Sequence, residues 1–429
     1  MEHVIGGEER TGEGWEMLMQ CLSEGRGISL PAASVASAKL ACTSVGAYAR
    51  VRRQFKTAIG DMEGVQVNLA RMASETYRLT AGQQLMNAML NQHEKPAVLS
   101  AVMKYETTET ARGVVTRAMD VLGGMGICKG KNNFMAHVYQ QTPIGITVEG
   151  SNPLTYYLII FGQGLMRSHP HLYSMVTTLS EDMGPQAFRK ELRHMVAHGL
   201  RNAGASMGQA LTRTRGKHDL MAYYTSQLER LSSSFAFCAD MGLSLGGQLK
   251  HAEMISGRYA QIFTKLYFGY ATLWFHTQQK ESAALNTVLE HAMDQLLHDM
   301  ETAFFELFDN FPHWSVAIAM RTVTFPSGRC YGPPKDRLSK ELAQQITHPS
   351  TLHDLLSEGV FISEQEGDRV RGLVRSLPLF HQAEEIYQAL RKEKRVATVE
   401  EQVLLDEVQA LRDELVSVNE FDSLPQRQS

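Results

Sequence analysis

The sequence predicts an all-α fold, and three observations carry the prediction. Apolar residues recur at steps of three, four and seven over long stretches. The β-branched alternation that marks strands is scarce. Glycine and proline fall where helices should begin or stop. At 429 residues, and roughly 150 residues per domain, the chain has length for two or three domains and a buried core. Residues 1–166 read as one helical unit and 167–429 as a second, additional one.

The elements follow in order. Between Gly25 and Phe55 the run Ala32-Ala33-Ser34-Val35-Ala36-Ser37-Ala38 suits a helix with near neighbours. From Val65, the positions Leu69, Met72, Leu79, Met86 and Leu90 keep one stripe on one helix face. That pattern stops near His93, and Pro96 can open the next helix, since a first-turn residue has no intrahelical use for its N–H. This helix runs to Leu122, where Gly123-Gly124 can end it by taking the left-handed conformation cheaply. A short joint between two such helices implies an antiparallel pair. Farther on, Leu296, Met300, Phe304 and Leu307 form another seam. The stretch VTFPSGRCYGPP, 323–334, is a loop or boundary. Thr398 with Glu401 makes a capping box ahead of the stripe Leu404, Val408, Leu411, Leu415, and the tail from Asp422 frays.

Composition excludes some classes. Lys and Arg total 42 against 46 Asp and Glu, too balanced for the electropositive field that unspecific nucleic-acid binding needs. Apolar residues at 43% and charged residues at 21% lie far from the signature of disorder. Five cysteines form no CxxC pair, which reads as reduced thiols in a cytoplasmic protein. Glu2, Glu8 and Glu9 stand where an export signal needs a basic start. The longest uncharged window, Gly150 to Met166, carries Asn152, Pro153 and two further glycines, so no membrane-spanning helix is expected.

Between Lys131 and Arg167, with His137 counted neutral, Glu149 is the only formal charge, where composition alone would put about seven. A lone carboxylate in such surroundings is a candidate general base, because burial disfavours its charged form; it can equally face solvent on a loop beside Gly150 and Asn152. Arg50, Arg52 and Arg53 cluster in YARVRRQF, where guanidinium forks suit a diphosphate but also suit a solvated face. Gly123-Gly124 with Gly126 is chiefly a helix stop. His194 and His198 have i, i+4 spacing and His298 precedes Glu301 by three, yet neither pair shows a third convergent ligand, so no metal site is expected. LYFGYATLWF, 266–275, offers either a membrane-interface patch or a buried packing surface.

The strings GEGWEMLMQCLSEGR (12–26), YARVRRQF (48–55), DVLGGMGI (120–127) and ITVEGSN (146–152), in this order and separation, resemble the C-terminal helical domain of the acyl-CoA dehydrogenase family. FGQG and FPSGRCYGPP extend the resemblance to the long bacterial fatty-acid β-oxidation enzymes with an extra C-terminal domain, so that it covers most of the chain. It implies a four-helix bundle followed by an additional helical domain, and FAD-dependent α,β-dehydrogenation of fatty acyl-CoA to trans-2-enoyl-CoA. Glu149 matches the catalytic base, with the flavin N5 as hydride acceptor. Arg52, Gln54, Phe55, Gly123, Gly124 and Ser151 match FAD-contacting positions; Arg26 and Gly150 match positions at the acyl-CoA. A few relatives carry the base just before the arginine of the GR segment, here Gly25, with Glu24 beside it.

The resemblance further implies electron-transferring flavoprotein as partner, a homo-oligomer and, by analogy with long-chain relatives, peripheral contact with the inner membrane. Two departures stand out: Asp120 replaces a glutamine, and Gln140-Gln141 replaces Arg-Asp. The family's N-terminal helical and middle β-domains have no counterpart, so a truncated chain, a split-gene product or half of a two-chain enzyme is expected. A helical association module without turnover is the competing expectation.

Overall fold

The computed structural model describes residues 4–94, 96–164, 170–172, 174, 178, 185–212 and 216–418. The fold is helical: α1 Gly14–Val51, α2 Glu63–Asn91, α3 Ala97–Leu122, α4 Pro185–Thr212, α5 Leu220–Gly242, α6 Glu253–Thr277, α7 Ala283–Asn310, α8 Trp314–Thr324, α9 Asp336–Thr347, α10 Thr351–Ser357, α11 Arg369–Glu393 and α12 Val399–Val416. The Asp422 tail lies outside the described residues. Among the described residues the only strands are β1 Arg53–Gln54 and β2 Thr57–Ala58, an antiparallel hairpin pairing Arg53 with Ala58. Its two turn residues, Phe55 and Lys56, both take positive φ, 51° and 64°, the requirement of the tightest hairpin turn. Sequence periodicity is blind to so short a ribbon.

Helices α1, α2 and α3 form the heart of the molecule, and their small residues explain why. Ala38, Ala41, Val45, Ala47 and Ala49 are fully buried on α1, letting neighbours approach closely. Gly27 of α1 faces Ser100 of α3 so closely that a Cβ there would lie 3.2 Å from the serine Cβ. At the opposite end, Arg412 of α12 donates to the Val51 carbonyl at 3.1 Å, Asn132 bonds Ser417 just beyond α12, and Asn133 donates to the Gly126 carbonyl at 2.8 Å. Helices α1 and α3 therefore run the same way in direct contact, with α2 packed against both in the opposite direction. Pro96 caps α3 rather than occupying its first turn, and Gly123 ends it at φ 57°.

The region 124–163, which its apolar content predicts to be long-helical, instead breaks into single turns at 124–127, 136–141, 144–147 and 152–154, followed by a π-helical stretch, Thr155–Gln163. Pro143, Pro153 and six glycines from 124 to 162 deny it a long run. Helices α6 and α7 pack against this core; Leu296, Met300, Phe304 and Leu307 are all buried. The capping box is present in both directions, Glu401 N to Thr398 Oγ1 and Thr398 N to a Glu401 carboxylate oxygen.

Most of the aromatic stretch 266–275 is interior: Tyr267, Phe268, Leu273 and Phe275 are buried, and the Tyr267 hydroxyl donates to the Gly82 carbonyl of α2 at 3.0 Å. It is a packing surface, which corrects the interfacial alternative. One segment, Gly25–Val51, does reach the length and hydropathy of a membrane span, contrary to the expectation. Its C-terminal part, 41–50, is buried against α2, α3, α9 and α11, whereas Ile28, Ala33 and Ala36 nearer its start are exposed.

Candidate active site at the Glu149 turn

Glu149 and Gly150 form a left-handed corner, with φ of 55° and 91°. A non-glycine residue in this region is strained by roughly 1 kcal/mol, so surrounding contacts must impose it. Lys104, fully buried on α3, supplies them: its Nζ donates to the Gly150 carbonyl and to Asn152 Oδ1, both at 2.6 Å. The amide of Asn152 in turn donates to Thr108 Oγ1 and Glu109 Oε1, and Thr155 Oγ1 donates to the same Gly150 carbonyl at 3.3 Å. The Gly150 carbonyl and Asn152 Oδ1 are thus occupied from α3 or from the next turn.

Two polar atoms are left over. Oε2 of Glu149 and Nε of Arg26 are buried without hydrogen-bond partners, so both are open to a ligand or a water at this corner. Among the described residues no acceptor receives the backbone N–H of Glu149 or Gly150 either. Burial lowers the affinity of the Arg26 guanidinium for its proton, and the nearby Glu149 charge partly restores it. Lys104 is pushed down to about 8, first by burial and then by Arg26, with Glu149 and Glu109 opposing. Sequence reasoning missed Lys104 altogether. Its signal was a single lysine inside the apolar run SAVMKY.

The second group of expected residues sits elsewhere. Along α1, Arg26 and Arg52 are 26 positions apart, about 39 Å of helix at 1.5 Å per residue. Because α3 runs parallel, Gly123 and Gly124 lie at the Arg52 end, and a Cβ at either would meet nothing within 4 Å. Arg52 caps α1, its N–H bonded to the Tyr48 carbonyl. The arginine cluster divides here: Arg50 is buried against Asp61 at 2.9 Å and Arg53 pairs with Glu384 at 2.6 Å. The Arg52 guanidinium has no hydrogen-bond or ion-pair partner among the described residues, and lines a cleft of about 430 Å³ with Arg53, Lys56, Arg391 and Arg412. Gln54 is exposed and Phe55 is 91% exposed at the hairpin tip. Ser151 is exposed at the Glu149 end, its hydroxyl making no cap to the following turn.

So the structure joins Glu149, Gly150, Ser151 and Arg26 at one end and Arg52, Gln54, Phe55, Gly123 and Gly124 at the other. Asp120, Gln140 and Gln141 are exposed. The Glu24 side chain lies outside the described residues. His298 and Glu301 hold the 323–334 loop in place. Glu301 accepts the N–H groups of Cys330 and Tyr331, and His298 Nδ1 meets the Tyr331 carbonyl.

A family model described as acyl-CoA dehydrogenase, C-terminal domain, matches residues 12–159, and one described as acyl-CoA dehydrogenase, C-terminal, bacterial type, matches 166–429. This chain belongs to the acyl-CoA dehydrogenase family. Among relatives, the mitochondrial short-chain specific acyl-CoA dehydrogenase of Bos taurus is 36% identical over 122 residues, 28% of this chain and 28% of that protein. Among solved structures, an acyl-CoA dehydrogenase from Bacillus anthracis complexed with FAD aligns with a TM-score of 0.61 at 18% identity, over 78% of this chain and 57% of that one. Acyl-CoA oxidase 3 from Yarrowia lipolytica aligns at 0.53 and 17%, over 94% and 57%. These two likenesses concern the fold. The chain spans little more than half of the solved chains and about a quarter of the bovine relative.

Proposed function

We propose that the chain provides the helical half of an FAD-dependent fatty acyl-CoA dehydrogenase, with Glu149 as the α-proton base. The observation that carries this reading is the buried, partnerless Oε2 of Glu149, held at the same end as the partnerless Nε of Arg26 in a strained corner. A thioester α-proton is weakly acidic and needs a positioned carboxylate. The N–H groups of Glu149 and Gly150, on consecutive residues of positive φ, suit the charge that develops on the thioester oxygen. Arg26 suits an anionic or carbonyl portion of acyl-CoA at the same end.

The free Arg52 guanidinium, the side-chain-free surface at Gly123-Gly124 and the exposed Phe55 fit the diphosphate and adenosine of FAD, and Ser151 fits its flavin portion. FAD, when bound, would supply the acceptor for the β-hydrogen and its electron pair, and the Glu149 carboxylate would take the α-proton, the two transfers together giving a trans-2-enoyl thioester. The two groups stand too far apart along α1 to serve one dinucleotide from a single copy. Their separation supports a homo-oligomer in which each copy lends its Arg52 end to a neighbour's Glu149 end. Electron-transferring flavoprotein as the oxidant of the reduced flavin, and a cytoplasmic setting, belong to the same proposal.

The deciding experiment uses the assembly that contains this chain and the domains covering the flavin. Glu149→Gln should abolish flavin bleaching by acyl-CoA and α-proton exchange while FAD content stays the same. Near-normal bleaching would remove Glu149 from the role. Colourless protein, with acyl-CoA inert in every assembly, would favour an association module without turnover.

A further inference from the structure

We propose a divalent-cation site of the zinc class formed by His171, Glu191 and His194, separate in role from the acyl-CoA chemistry. Glu191 and His194 occupy i and i+3 of α4, so both project from one face. His171 reaches them from residues 170–172, a separate segment, and one ligand atom from each of the three lies within 4.8 Å of the others. The imidazole rings of His171 and His194 are 5.6 Å apart at 52°. Two imidazoles on one tetrahedral zinc, with Zn–N near 2.0–2.1 Å, place their nitrogens about 3.4 Å apart and their ring centres about 5 Å apart. Small side-chain rotations close the difference.

The donor set also fits. Two imidazoles and one carboxylate are the borderline-hard ligands that zinc takes when a water completes the shell. All three side chains are at least partly open to solvent, which gives an ion a route of entry. The neighbouring His198 ring sits 5.9 Å from His171, but its ligand atoms do not join the group of three that lie within 4.8 Å of one another, so three residues and not four are assigned as ligands. The i, i+4 histidine pair that stands out in the sequence is therefore not the pair that converges. His194 pairs with a residue 23 positions upstream, which only the fold reveals. Such an ion would tie residues 170–172 to α4 and add its binding free energy to that contact.

The test takes the full chain, stripped of metal, dialyses it against micromolar zinc, and counts retained ions by plasma mass spectrometry; cobalt(II) serves as a spectroscopic probe. One ion per chain is expected, with cobalt bands of a tetrahedral or five-coordinate site free of thiolate charge transfer. His171→Ala and His194→Ala should each weaken binding by about 100-fold or more, with unchanged helical circular dichroism. Cys128→Ser and Cys330→Ser, which remove two exposed thiols, should change nothing. Retention that survives the double histidine variant, dependence on either cysteine, or no ion held by the unaltered chain would each overturn the assignment.

Discussion

Lys104 Nζ lies 2.6 Å from the carbonyl oxygen of Gly150, and this contact ties the Glu149 turn to the middle of the helical core. A buried ammonium on α3 sets the backbone that presents Glu149. Replacing it by methionine keeps the volume, leaves Asn152 Oδ1 without its donor and leaves the Gly150 carbonyl only the longer bond from Thr155 Oγ1. We expect a stability loss of about 1–3 kcal/mol, read from urea midpoints at pH 7. The pH dependence carries a sign. Folding holds Lys104 down at about 8 against 10.5 unfolded, so between these values the unfolded chain binds the extra proton and stability rises with pH. Lys104→Met should lose that rise.

Glu149 occupies a conformation that glycine takes freely. Glu149→Gly should therefore stabilise the fold by up to about 1 kcal/mol while removing the proposed base, and differential scanning calorimetry reads the gain. A lower midpoint in this variant would show that the corner is not strained and that the carboxylate is held for stability.

Arg50 and Arg52 are two residues apart and should behave as opposites. Arg50→Ala removes a buried side chain and its two bonds to the more exposed Asp61 carboxylate, and should cost roughly 2–3 kcal/mol. Arg52→Ala removes a side chain with no partner among the described residues and should stay within about 0.5 kcal/mol. In the flavin-binding assembly the order reverses: only Arg52→Ala should lower FAD content, measured by absorbance after desalting.

His291 is buried on α7 and its protonation is pushed down to about 4, chiefly by burial and secondarily by the Arg71 charge. Its ring is neutral in the folded chain at pH 6 and half-protonated in the unfolded chain near 6.5. Stability is then full above 6.5 and is lost as pH falls toward 4, by about 3 kcal/mol for this group. His276, His348 and His353 shift the same way. Urea midpoints from pH 7 to 4 should fall, and more gently in His291→Gln.

Gly46 of α1 faces the backbone of α9, where a Cβ would lie 2.5 Å from the Ile346 carbonyl oxygen. Neither side can yield without moving a helix. Gly46→Ala should cost about 3 kcal/mol, seen as a drop in thermal midpoint.

The long helices are legible in the sequence because each carries its own evidence: the 65–90 stripe and the glycine stop after Leu122 are local patterns, as is the Thr398 capping box. The candidate base is legible for the same reason, since charge depletion around Glu149 is a property of consecutive residues. Whatever depends on distant contacts stays hidden. Lys104 matters through residues 46 and 48 positions away, and Arg50 and Arg52 look alike until Asp61 claims one of them. The 124–163 turns escape a periodicity reading because apolar content alone does not separate one long helix from several short ones.

Helix α1 is a single shaft from the Arg26 level to Arg52, and a helix links axial position to angle: each residue advances about 1.5 Å and turns about 100°. Adding or deleting one residue between those arginines would leave both arginines in the chain yet point Arg52 a quarter-turn away from its present heading, out of step with Gly123 on the neighbouring α3. The spacing of the two ends is consequently quantised. Length changes in this stretch can be absorbed only in whole turns, three or four residues at a time, whereas substitutions on its exposed side leave the alignment untouched.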